Sequence, residues 1–177
     1  MSRDLTKLPA FNDDGELHVV VESPRGAGVK LKYDPDLGAF EYGKALPIGL
    51  TYPYDWGFVP GTEAEDGDPL DALVLTDVPS YPGVVIACRP LGILQLDEKD
   101  EEGKKKSRER NDRLVAVPVK AKRFEEMEDP DDLSARLRDE IERFFLNTTF
   151  FSAKNPRVLG WKGPKYAEKK VRQAIKR

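Results

Sequence analysis

The residues of this chain best equipped for chemistry lie together in EDGDPLDALVLT, Glu65 to Thr76. Five carboxylates, Glu63, Glu65, Asp66, Asp68 and Asp71, stand within nine positions without one Lys or Arg among them. Acids crowded within ~4–6 Å repel, and either raise one another's pKa or require a cation. A polar Asp-Gly turn leading into a strand accounts for Asp66 and Gly67, but not for Asp71, which sits inside the apolar run Leu70, Ala72, Leu73, Val74, Leu75. A carboxylate desolvated there needs compensation. Asp66 and Asp68 are two apart, so in an extended chain they point the same way, and Pro69 stiffens the entry to the strand. A divalent cation fits this pattern. The further oxygen ligands and terminal glutamate of an EF-hand loop are missing. Mg²⁺, which takes a few carboxylates, keeps several waters and recruits phosphate oxygens, fits better. The chain has one histidine, His18, and one cysteine, Cys88, so its donors are those of a hard cation rather than of zinc. A phosphate compound is the expected partner.

Such a site needs a rigid frame. From Leu17 to about Pro118 the chain reads as short β segments punctuated by Gly and Pro: LHVVVES, GVKLKYD, GAFEY, WGFVPG, PLDALVLT, GVVIACRPLGIL and RLVAVPV. Strands so close together, with no helix between them, predict a small antiparallel barrel. Helices follow. In DPDDLSARLRDEIERFFLNT, Asp129 is the expected N-cap, Pro130 opens the first turn, and Leu133, Leu137, Ile141, Phe144 and Phe145 form one apolar stripe. A second helix is expected from about Pro164 to the end, with Ala167, Val171, Ala174 and Ile175 inward. The predicted class is α+β: one domain over residues 1–177, an OB-like five-stranded barrel with two C-terminal helices packed on it. The stretch Asp97 to Asp112 has thirteen charged residues in sixteen and reads as a solvated excursion between strands.

The bulk properties bound the setting. A chain of 177 residues buries roughly two-thirds of its unfolded surface and needs no staples. The lone cysteine forms no internal disulfide, and Met1 to Phe11 lacks the apolar core of a signal peptide, so a reducing, cytoplasmic location is expected. No segment offers the roughly 20 apolar residues that span a bilayer, so no membrane partner is expected. The net charge of −3 conceals a basic tail, Lys154 to Arg177, with nine Lys/Arg against one acid. The tail is read as a solvated helical face. Single-stranded nucleic acid would need a basic groove with exposed aromatics, whereas the main aromatic cluster, Tyr52 to Phe58, adjoins the acids.

The segment DGDPLDALVL resembles the signature of the family I soluble inorganic pyrophosphatases, of the form D-x-D-P-hydrophobic-D-hydrophobic. VVVESPRGAGVKLKYDPDLG, YPYDWGFVPGT, PGVVIACRPLGIL and LVAVPV resemble further family segments in the same order. The resemblance implies hydrolysis of diphosphate with Mg²⁺ as cofactor. It implies Asp66, Asp68, Asp71, Asp97 and Glu22 as metal ligands, joined by Asp112, with Asp68 as general base and Tyr52 as a catalytic hydroxyl. Lys30, Lys44 and Arg113 are the implied substrate contacts. A homo-oligomer is implied as well, a hexamer favoured over a dimer or trimer, although Arg143 and Asn147 stand where some bacterial members have interface histidines.

Several positions depart from the family pattern. Lys32 stands where a glutamate is usual, Trp56 replaces a second tyrosine, and Asn111 falls where a metal aspartate is expected, one place before Asp112. Thr148 and Thr149 replace a Tyr-Lys pair that grips phosphate, leaving Lys154, Lys162, Lys165 or Tyr166 to reach back from the tail. These departures keep two alternatives open: a non-catalytic descendant that binds phosphate or a partner, and a hydrolase of another phosphoanhydride.

Overall fold

The computed structural model describes residues 4–176; Met1 to Arg3, within the segment read as leaderless, and Arg177, the end of the basic tail, lie outside the described residues. Seven of its strands are β1 (Leu17–Ser23), β2 (Val29–Asp34), β3 (Ala39–Ala45), β4 (Asp55–Val59), β5 (Leu70–Val74), β6 (Val85–Glu98) and β8 (Arg113–Pro118), with a two-residue β7 (Glu109–Arg110) between the last two. Helix α1 (Ala135–Asn147), strand β9 (Arg157–Lys162) and helix α2 (Pro164–Ala174) complete the chain.

Strands β1, β4, β5, β8 and β6 pair in that order, and β6 returns to β1, closing a ring of five. Four of the five junctions are antiparallel and one, β5 to β8, is parallel. The expected antiparallel barrel holds at four junctions, and the fifth is parallel because directions cannot alternate around a ring with an odd number of strands. Strands β2 and β3 form a separate hairpin. Where β1 meets β4 the backbones leave no room for a side chain at Gly57, since a Cβ there would lie 1.9 Å from the Val20 carbonyl oxygen.

Alternation along the strands feeds two apolar clusters. Leu73, Leu75, Leu94, Leu96, Val115 and Val117 pack with Tyr52, Trp56 and the α1 residues Ile141, Phe144 and Phe145. Ala72, Val74, Leu114 and Ala116 pack with Leu17, Val19 and the α2 residues Ala167 and Val171. Each fully buried large side chain of the α1 stripe contributes about 2–3 kcal/mol. Helix α1 begins later than Asp129 predicts. Asp129 instead caps a single 3₁₀ turn, Pro130–Asp132, and the Ser134 hydroxyl accepts from Leu137 N to start the α-helix. Of the inward residues expected on α2, Ala167 and Val171 are buried, but Ile175 has left the helix and bridges Thr62. Among the described residues no helix is long and apolar enough to cross a membrane.

Candidate active site

The acidic loop is closed from both ends. Buried Thr62 donates from Oγ1 to the Val59 carbonyl at 2.7 Å and accepts Leu70 N at 3.0 Å. Inside it, Ala64 N donates to the Asp68 carbonyl at 2.7 Å, and Asp66 Oδ1 accepts Asp68 N at 3.1 Å. Gly67 takes φ +85° between the two aspartates, a conformation open to glycine. Asp66 and Asp68 are thus brought together by a tight turn rather than by an extended strand, and both stay exposed.

Asp71 lies on β5 one residue before Ala72, and Arg113 lies on β8 one residue before Leu114; Ala72 and Leu114 are register partners of the parallel junction. That geometry makes Asp71 and Arg113 neighbours, and the guanidinium Nη1 donates to Asp71 Oδ2. Two aromatic faces hold Arg113 in place, with Cζ 5.3 Å from the Trp56 ring centroid and 5.7 Å from that of Phe145. Neither Arg113 Nε nor Trp56 Nε1 has a hydrogen-bond partner, although both atoms are buried.

Glu22 sits where the register of β1 against β4 shifts between Val21 and Ser23, a bulge that re-aims side chains. Its Oε1 accepts Tyr33 N at 2.8 Å, and Ser23 Oγ accepts Leu31 N at 2.9 Å, so β1 side chains anchor the hairpin above the ring. Burial, with the charge of Asp71 adding to it, raises the Glu22 carboxyl to about 7. Lys32 on that hairpin reaches Asp68 Oδ2 at 3.0 Å. Tyr52 is buried beside Trp56 and Phe144, and burial pushes its phenol upward, so it stands as a neutral hydroxyl.

Lys30 and Lys44 are register partners across the hairpin. Desolvation first, then the charges of Lys30 and Lys154, hold the Lys44 ammonium below its ordinary value. Lys44 also lines a groove of about 380 Å³ with Ile48, Thr148, Thr149 and Phe151. Of the tail candidates, Lys154 comes to this side, its Nζ 3.2 Å from Glu98 Oε1. Lys165 and Tyr166 belong to α2, which packs on the other apolar cluster, and Lys162 ends β9.

Two expected metal ligands are not brought to the cluster. Asp97 is clasped by Arg108 at 2.6 Å and Arg157 at 2.8 Å, and the Arg157 bond foremost lowers its carboxyl to about 2. Asp112 accepts Leu96 N at 3.2 Å and both Nε and Nη2 of Arg110. Their chain neighbours take the other face: Asn111 Nδ2 donates to Glu98 Oε1 at 2.7 Å, next to Lys154. A one-residue step along a strand reverses the side-chain direction. Leu94 and Leu96 pack with Tyr52 and Trp56, so period-two alternation in β6 selects Glu98 for that face. That alternation is legible in the sequence as Leu94, Leu96 and Glu98.

The clustered donors Glu22, Asp66, Asp68 and Asp71 are all oxygen, which suits a hard cation. Two side-chain cations, Lys32 and Arg113, are paired into the cluster, leaving acid in excess. Among the described residues no three acidic, histidine or cysteine side chains already converge on one point as a metal nest. Asp68 and Asp71 are each turned to a cation instead.

A family model for inorganic pyrophosphatase matches residues 19–177. The inorganic pyrophosphatase of Thermus thermophilus is 39% identical over 179 residues, covering 98% of this chain and 97% of that protein. That of a Nostoc species is 36% identical over 173 residues, covering 98% of both. The crystal structure of the Thermus thermophilus pyrophosphatase superposes with a TM-score of 0.87 at 37% identity, over 98% of this chain and 97% of that one. A pyrophosphatase structure from Coxiella burnetii gives 0.83 at 35% identity, over 95% and 98%. Ordered motifs, a closed five-stranded ring carrying the acids, and near full-length likeness lead to one conclusion: the chain belongs to the inorganic pyrophosphatase family.

Proposed function

We propose that the chain, as one domain over residues 1–177, hydrolyses inorganic diphosphate to two phosphates with Mg²⁺ as the working ion. The observation that carries this is the adjacency of the acidic turn Asp66–Asp71 to a face of cations, with Lys32 on Asp68 and Arg113 on Asp71. Glu22, Asp66, Asp68 and Asp71 would hold Mg²⁺, with Glu98 and Asn111 taking the second arm in place of Asp97 and Asp112. Bound Mg²⁺ would lower the pKa of a water and offset the charge of the phosphates.

The remaining roles fall to side chains. Asp68, held on the rim by the Gly67 turn, accepts the proton as the water oxygen bonds to phosphorus and the bridging P–O bond breaks. Lys30, Lys44 and Arg113 bind phosphate oxygens, and Tyr52 donates as a neutral hydroxyl. The partnerless donors Arg113 Nε and Trp56 Nε1 support an anion here, because a buried donor left unpaired is costly. Nucleic acid is disfavoured as a partner, since Tyr52, Trp56 and Phe58 are buried and unavailable for stacking. A cytoplasmic homo-oligomer completes the proposal; exposed Tyr81, Val84 and Val85 support self-association, a hexamer before a dimer or trimer.

Phosphate release from diphosphate and from nucleoside triphosphate, assayed with Mg²⁺ on wild type and Asp68→Asn, tests this. Release from diphosphate that is lost on the substitution is expected. Preference for the triphosphate would point to the other phosphoanhydride, and no release with any divalent ion would point to the binding-protein alternative.

A further inference from the structure

Lys32 makes an unusual choice of partner. Its register partner across the β2–β3 hairpin is an acid, Glu41, which offers a local cross-strand ion pair. The ammonium instead lies 3.0 Å from Asp68 Oδ2, in a loop 36 positions along the chain. The hairpin that carries it is pinned to β1 by the Tyr33 N bond to Glu22 and the Leu31 N bond to Ser23, so the reach starts from an anchored strand. The bond to Asp68 is the main cause holding the Lys32 ammonium above its usual range, and the charges of Glu22 and Asp71 act in the same direction. One side-chain cation is thus paired with a carboxylate assigned to metal, Asp68, and sits one residue before Tyr33, whose N binds a second, Glu22.

We propose that Lys32 is a built-in cation of the carboxylate cluster, filling charge space that a further divalent ion would otherwise take, so that this chain binds fewer ions, and its first ion less tightly, than its acids alone dictate. The inference rests on the metal-dependent reading above. Its physical basis is simple repulsion. A unit charge a few ångströms from a divalent ion, in a largely solvated setting, is worth about a factor of ten in the ion's affinity. Arg113 adds its charge at a different carboxylate, Asp71, where it is clamped between Trp56 and Phe145, so the charge at Asp68 is supplied by Lys32.

The test is calorimetric titration of Mg²⁺ alone into the substrate-free full-length protein, for wild type, Lys32→Met, Lys32→Glu and Lys32→Arg, with thermal melts to verify folding. Lys32→Met is expected to tighten the first ion about tenfold, Lys32→Glu to tighten it further and add one bound ion, and Lys32→Arg to stay near wild type. Should Lys32→Glu fail to fold, Lys32→Met and Lys32→Arg carry the comparison. Affinity and stoichiometry unchanged in the Met and Glu variants overturn the inference, as does a raised KM for diphosphate in Lys32→Met with an unaltered Mg²⁺ titration, which would make Lys32 a substrate contact. Wild type that hydrolyses diphosphate while its Lys32 variants titrate alike sinks this inference alone. Wild type that neither binds Mg²⁺ nor releases phosphate sinks the hydrolase reading with it.

Discussion

Two stretches of this molecule are dense in carboxylates, Glu63–Asp71 and Asp97–Asp112, and they meet opposite fates. The first contains no Lys or Arg, the second six. In the second, Arg108 and Arg110 turn back on Asp97 and Asp112 within the same arm, and Arg157 adds a second clasp from β9. In the first, no local cation exists, so Asp68 and Asp71 draw on Lys32 and Arg113 from distant strands, and Asp66 keeps an exposed carboxylate. The difference teaches that the local supply of cations, more than the number of acids, separates acids that hold structure from acids left for a ligand.

The largest expected break in that comparison is Asp68→Asn. Removing a general base lowers kcat about 10²–10⁴-fold, while an exposed position leaves stability within about 0.5 kcal/mol, as steady-state kinetics and urea melts would read. A sharper contrast comes from adjacent residues of β6: Glu98→Gln is expected to lower kcat/KM about tenfold, and Asp97→Asn to leave it within about twofold. The reverse ranking would mean that the arm faces the other way.

Asp97→Asn acts on stability instead. It leaves two arginines without their carboxylate and is expected to cost about 1–3 kcal/mol at neutral pH. Because the paired arginines hold the Asp97 carboxyl at about 2, below the ordinary aspartate value, its contribution is present above about pH 4 and is lost as pH falls through 2. The gap between wild type and variant in melts at graded pH should therefore close over that window. The smallest effect is expected for Ser134→Ala, about 1 kcal/mol for the lost α1 cap, with activity unchanged.

How much was legible in the sequence follows the same divide. The Asp66–Asp71 motif could be read because its acids abut an apolar run and lack local partners, and the strand order up to β6 followed from alternation between Gly and Pro breaks. In the arm, the resemblance pairs Asp97 with a family aspartate, whereas the alternation through Leu94 and Leu96 continues to Glu98; beyond Glu98 acids and bases follow so densely that no apolar pattern fixes the face of Asn111 or Asp112. Asp129 with Pro130 looked like the start of α1, since a 3₁₀ turn and an α-helix use the same capping chemistry, and only the Ser134 bond separates them. Strand β9 was hidden within the basic tail, where RVLGWK owes its conformation to pairing with β6. The parallel β5–β8 junction is a consequence of ring closure, which no single segment encodes.

The central claim is that divalent cations settle among Glu22, Asp66, Asp68 and Asp71, and not at Asp97 and Asp112. Anomalous diffraction from crystals soaked in Mn²⁺ tests it directly. The account predicts an anomalous peak within coordinating distance of Asp66, Asp68 and Asp71, with Arg108 and Arg157 still on Asp97. A peak at Asp97 or Asp112 with the Asp66–Asp71 turn bare would contradict it.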